Sequence, residues 1–157
     1  LKKTATLIAS CSACGAKSMK LPDEIVLKMR NFGELLGIAF QIKDDLLDYQ
    51  INNLTGKPVG NDIQEKKLTL PLIHALKKAD SSEKKRILRL MNNHTDKSSE
   101  KVRSLRNFIV NNEGISYAEL KMKEYASRAL DELKEFPNAE ICAAIKEFVD
   151  YTIERNK

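Results

Sequence analysis

The segment FQIKDDLLDY, Phe40 to Tyr49, sets Asp44, Asp45 and Asp48 inside an otherwise apolar stretch. At about 100° per residue, Gln41 and these three aspartates share one face of a helix, related by steps of three or four. Like charges at such spacings cost an exposed helix about 0.2–0.5 kcal/mol per pair. In a partly buried cleft, two charges about 6 Å apart repel by roughly 3 kcal/mol at an effective dielectric near 20. A cation is the natural compensation, and all-oxygen donors suit a hard one. Magnesium takes few protein carboxylates and keeps waters for substrate phosphates, so it fits a one-helix acidic face better than a calcium cage does. The alternative is a solvated acidic helix end. Against it, the aspartates interrupt the runs LLGIAFQI and LL, so the helix is expected to be buried on several sides and the carboxylates to face a cleft.

Three lysines are placed to complement such a metal. Lys57 lies in a glycine-containing loop just after the acidic segment, Lys67 ten residues further on, and Lys3 near the start of the chain. Each offers a compact charge and three donors to a metal-bound phosphate. Singly they are ordinary surface lysines, and only their order around the acidic motif marks them. The net charge of +5 and pI near 9.1 allow anionic partners, namely nucleic acid, a membrane surface or a diphosphate. The basic residues are scattered and lack interleaved aromatics, so nucleic acid is not expected. Solvated, lysine-rich helix faces account for most of the excess.

These residues need rigid elements to position them, and the apolar periodicity is helical almost throughout, without the alternation of strands. The chain is expected to be all-α. A first helix carries Ala5, Ile8, Ala9 and Ala13 and is expected to stop near Gly15. A second opens at Pro22 and runs to about Tyr49. Its Gly33 and Gly37, one turn apart, each cost about 1 kcal/mol relative to alanine, which predicts close approach of another backbone. The polar QINNLTGKPVGND then breaks the helix. Pro71 suits a first turn, with Thr69 as its cap. Further helices are expected from Ser82 to near Asn93 and from Ser98 or Ser99 to Gly114. Another opens at a Ser116–Glu119 capping box and closes at Pro137, and NAEICAAIKEFVDYTIERN forms the last. With 157 residues, 42% hydrophobic and 31% charged, the chain suffices for one ordinary domain, and no boundary divides it.

Cys11 and Cys14 form a lone CxxC; Cys142 is remote and the only histidines are His74 and His94, so no zinc set is completed. The surrounding TATLIASCSACGA reads as continuous helix and not as a redox turn, and buried thiols are expected. No apolar run approaches the ~18 residues of a membrane span and no signal peptide is visible, so a cytoplasmic chain is expected. Leu1 begins inside an apolar helical pattern with no cap before it, which predicts an upstream part.

KTA at Lys3 to Ala5, FQIKDDLLDY, GKPVGNDI at Gly56 to Ile63 and KLTLPLI at Lys67 to Ile73 resemble, in order and spacing, the C-terminal half of the trans-prenyltransferases, the all-α polyprenyl diphosphate synthases. GISYAELKMKEYASRAL and FVDYTIERNK are similar to that family's tail, so the resemblance covers essentially residues 1–157. It implies the C-terminal helices of the isoprenoid synthase fold, as a fragment of a larger helical bundle. The activity implied is a magnesium-dependent condensation of isopentenyl diphosphate with an allylic diphosphate.

DDLLD corresponds to the family's second aspartate-rich motif. The resemblance implies that Asp44 binds Mg2+ directly, and Asp45 and Asp48 largely through metal-bound water. Lys3, Lys57 and Lys67 would hold the allylic diphosphate, with Thr4 and Gln41 near the reacting carbon and diphosphate. It further implies a homodimer and a product destined for membranes, and the general flavour is nearest to long-chain synthases. The first aspartate-rich motif and the glycine-lysine-arginine segment for isopentenyl diphosphate are not in these 157 residues. The fragment alone is therefore expected to be inactive. The rival expectation is a non-catalytic helical interaction module, a truncated relative; intact Lys3, Gln41, Asp44, Asp48, Lys57 and Lys67 argue against such decay.

Overall fold

The computed structural model describes residues 2–49, 67–92, 99–134, 136 and 138–155. Lys57 and the rest of GKPVGNDI, Asn93, Ser98 and Pro137 lie outside the described residues, and with them the expectations that fall there. Among the described residues there are seven helices and no strand: α1 (Lys2–Ser18), α2 (Asp23–Leu47), α3 (Leu70–Lys78), α4 (Ser81–Asn92), α5 (Ser99–Asn111), α6 (Gly114–Asp131) and α7 (Ala139–Glu154). The expected all-α class is the observed one. None of the described helices is long and apolar enough to cross a membrane.

The chain divides into two compact units, one of Leu1–Lys43 with Leu120–Lys157 and one of Asp44–Glu119. In the first, α1 and α2 pack through small residues. A Cβ on Gly33 would stand 2.8 Å from the Ile8 carbonyl oxygen and 2.9 Å from Ala9 Cα, and one on Gly37 would stand 2.6 Å from Ala5 Cα. Both glycines thus admit a neighbouring backbone that any side chain would displace, as expected from their spacing. Ala5 and Ala9 are buried at the same contact, while Phe32, Leu36, Ala39 and Ile42 bury the apolar face of α2. Cys11 and Cys14 are exposed on α1, contrary to the expectation of buried thiols. They stand three residues apart on one side of the helix, and the buried side is held by Ala5, Ala9 and Ala16.

The second unit has its own core of Tyr49, Leu72, Ala75, Leu76, Ile87, Met91, Leu105, Phe108 and Ile109. Gly114 was expected to end a helix. Instead it opens α6 beside Pro71, whose carbonyl oxygen a Cβ there would meet at 2.3 Å. The preceding helix ends at Asn111, and Glu113 makes the turn in the left-handed region at φ 58°. Ser116 consequently lies within the first turn of α6, where its hydroxyl donates to the Glu113 carbonyl, 3.1 Å, and does not serve as the opening cap. At α4 the cap is Asp80 and not Ser82: its Oδ1 accepts the amides of Ser82 at 2.7 Å and Glu83 at 2.8 Å. Asn138 caps α7 in the same way, accepting from the amide of Ile141 at 3.0 Å.

Candidate functional site

Thr4 and Gln41 are brought together by the helix contact just described. Because Ala5 lies against Gly37 and Ala9 against Gly33, α1 and α2 run antiparallel with one turn matched to one turn. Gln41 follows Gly37 by one turn, and the Thr4 hydroxyl accordingly reaches its amide oxygen, Oγ1 to Oε1 3.3 Å. Lys3 precedes Thr4 and is exposed. The ring of Phe40, beside Gln41, carries the guanidinium of Arg155 over its face at 4.2 Å from the centroid. Sequence reasoning missed this residue; its only signal was the family-like tail FVDYTIERNK.

The acidic motif stands at the end of α2. Asp44 is half-buried, Asp45 buried, and Asp48 lies in the turn that follows Leu47. Helical geometry persists that far, since the Asp48 amide donates to the Asp44 carbonyl at 3.3 Å. The carboxylates of Asp44 and Asp48 therefore leave the helix one turn apart on one side. Tyr49 then tightens the chain, its amide bonding to Leu46 O at 3.1 Å. Among the described residues no three His, Cys, Asp or Glu side chains converge on a common metal position.

Two further bonds fix the motif's last residue. The Tyr49 hydroxyl, in a side chain 3% exposed, shares a hydrogen bond with the hydroxyl of Thr69. Its carbonyl accepts from Arg106 Nε at 2.9 Å. Thr69 does occupy the N-cap position of α3, with extended backbone at φ −79° and ψ 161°, but its side chain makes no capping bond there and turns to Tyr49 instead. Lys67 stands two residues before it, exposed, in a tight bend closed by the Thr69 amide on the Lys67 carbonyl, 3.1 Å.

A family model described as polyprenyl synthetase matches residues 1–109. The chain belongs to the polyprenyl synthetase family. It is 34% identical to the geranylgeranyl diphosphate synthase of Saccharolobus solfataricus, over 99% of this chain and 47% of that protein. It is 31% identical to the nonaprenyl diphosphate synthase of Mycobacterium tuberculosis, over 99% of this chain and 46% of that protein. Among solved structures, the geranylgeranyl pyrophosphate synthase of Bacteroides thetaiotaomicron superposes with a TM-score of 0.87 at 38% identity, covering 98% of this chain and 50% of that one. A polyprenyl synthase of Caulobacter crescentus, complexed with calcium and isoprenyl diphosphate, does so with a TM-score of 0.89 at 31% identity, covering 99% and 47%. The chain thus spans about half the length of the polyprenyl synthetases it matches, and its fold is that of half of their helical domain.

Proposed function

We propose that this chain is the C-terminal half of a magnesium-dependent trans-prenyltransferase that joins isopentenyl diphosphate to an allylic diphosphate, giving an all-trans polyprenyl diphosphate. The observation that carries the proposal is the acidic motif at the end of α2, preceded by Gln41 in its bond to Thr4, within a member of the polyprenyl synthetase family. In the reaction the allylic carbon–oxygen bond breaks and diphosphate leaves with the electron pair. The double bond of isopentenyl diphosphate attacks the resulting cation, and a proton is lost to restore an alkene.

Each residue has a task in that sequence. Asp44 would hold Mg2+ directly, with Asp45 and Asp48 acting through its water. When bound, the metal neutralises charge on the departing diphosphate. Lys3, Lys57 and Lys67 add fixed positive charge to the same group, which is worth more in a water-poor helical cavity than in solvent. The oxygens of Thr4 and Gln41, held to each other, turn a fixed dipole toward the developing cation. Homodimeric assembly and a membrane-destined product are part of the same proposal. With a single acidic motif, the chain alone binds diphosphate weakly and does not turn over.

The test is a calorimetric titration of the 157-residue chain with inorganic pyrophosphate, with and without magnesium, beside a nonspecific DNA duplex. Binding of pyrophosphate that requires magnesium and is lost in Asp44→Ala is the expected result. Magnesium-independent binding, or a preference for the duplex, contradicts it.

A further inference from the structure

Tyr49 is attached at both ends to the two segments that carry the proposed metal and diphosphate groups. Its own backbone directly follows Asp48. Its side-chain hydroxyl is bonded to Thr69, whose amide closes the bend on Lys67. Its carbonyl is held by the guanidinium of Arg106, on α5. Both residues are buried: Tyr49 is 3% exposed and Thr69 5%, in the interior of the Asp44–Glu119 unit. A buried hydroxyl that loses its partner has no water to turn to, so the pair resists separation.

The need for such a tie follows from the local backbone. α2 ends at Leu47, one residue before the last aspartate, and Lys67 lies before α3 begins at Leu70. Neither residue is placed by a regular helix on both sides. The Tyr49–Thr69 bond joins the chain after α2 to the start of α3 across the 19 residues between them, and Arg106 holds the same turn from a third helix.

From this geometry we infer that Tyr49, Thr69 and Arg106 are positioning residues which set the separation of Asp48 from Lys67, and with it the fit of a magnesium-bound diphosphate. The inference rests on the function proposed above and adds to it three residues that touch neither metal nor substrate. Tyr49→Phe removes one hydroxyl of the pair and Thr69→Val removes the other. The Tyr49→Phe/Thr69→Val double variant removes both.

The experiment is a 31P NMR titration of inorganic pyrophosphate against the 157-residue chain at a series of magnesium concentrations, with far-UV circular dichroism as the check on folding. Each single variant is expected to raise the magnesium needed for half-saturation by about two- to ten-fold, the equivalent of one hydrogen bond. Thr69→Ser, which keeps the hydroxyl, restores the wild-type value. The double variant is no worse than the poorer single one, and Arg106→Gln shifts the curve in the same direction. Folded Tyr49→Phe and Thr69→Val chains with the wild-type magnesium dependence overturn the positioning role while leaving the proposed function intact. Should Tyr49→Phe not fold, Thr69→Ser and Thr69→Val decide the matter, and equal curves for those two overturn the role. A wild-type chain that binds no pyrophosphate at any magnesium concentration overturns the proposed function and the positioning role together.

Discussion

Gly37 lies against the backbone of Ala5 so closely that a Cβ would stand 2.6 Å from Ala5 Cα. Since the Thr4–Gln41 bond depends on this helix register, Gly37→Ala should be felt both in stability and at the site. Overpacking typically costs about 1–3 kcal/mol, which for a chain of this size lowers Tm by roughly 3–10 °C. Gly15→Ala is the control. A Cβ at Gly15 meets nothing within 4 Å, and alanine is the better helix former, so its Tm should stay or rise. Thermal melts of both variants check the contrast; equal effects would mean that the close approach does not set the register.

Such contacts show what the residue pattern could and could not disclose. Paired small residues one turn apart signalled an approaching backbone, and the period of the apolar residues signalled helices. The limits of those helices were less legible, because they depend on partners remote in sequence. α1 passes Gly15 and stops only after Ser18, where Lys20 takes the left-handed conformation at φ 56° and the amide of Leu21 bonds back to Ala16 O at 3.4 Å. That is the hydrogen-bond pattern of a glycine-type helix end, made with a lysine that gives no glycine signal. Gly114 misled in the opposite sense: it is glycine for the sake of Pro71 and not as a stop. The order of the candidates Lys3, Gln41, Asp44, Asp48 and Lys67 was readable as spacing. Arg106 and Arg155 were not, since each acts on a residue far away along the chain, Tyr49 and Phe40.

Acid should weaken one link of the second unit. Lys78 Nζ lies 2.6 Å from the Glu113 carboxylate and, through that hydrogen bond and its charge, holds the carboxyl below its ordinary pKa. A carboxyl whose pKa is lower in the folded state adds stability above its unfolded pKa, about 4.3, and loses it as pH falls through the folded value. Both side chains are largely exposed, so the effect is small and screened by salt. At low ionic strength, the urea midpoint of Glu113→Gln should lie below wild type at pH 7, and the gap should close below about pH 4. A gap that persists unchanged at pH 3 would remove the ion pair as its cause.

The order of importance within the acidic motif is a further expectation. In an enzyme reconstituted from this chain and the N-terminal half of a polyprenyl synthetase relative, Asp44→Ala should lower kcat more than Asp48→Ala. Loss of a group acting through water typically costs about 10–100-fold, and loss of a direct ligand more. Steady-state rates at limiting magnesium give the comparison, and near-wild-type rates in both variants would refute the assignment.

The proposed function assigns Lys57 and Lys67 to the diphosphate and not to the hydrocarbon. Replacing either with alanine should weaken allylic diphosphate binding by about ten-fold or more, as expected for one charge-assisted hydrogen bond. The same factor should appear with inorganic pyrophosphate and with allylic substrates of different tail length. A cost that changed several-fold with the tail would place the lysines elsewhere.

The most direct measurement is incorporation of radiolabelled isopentenyl diphosphate into product, with farnesyl diphosphate and magnesium present. The purified 157-residue chain alone should give none, because the proposed mechanism holds the departing diphosphate between two opposed acidic motifs and this chain supplies one. Addition of the N-terminal half should give product, and Asp44→Ala should abolish it. Clear product from the chain alone would show that a single acidic motif suffices. No product after the second half is added, with both halves folded and associated, would mark the chain as a helical interaction module without a share in catalysis.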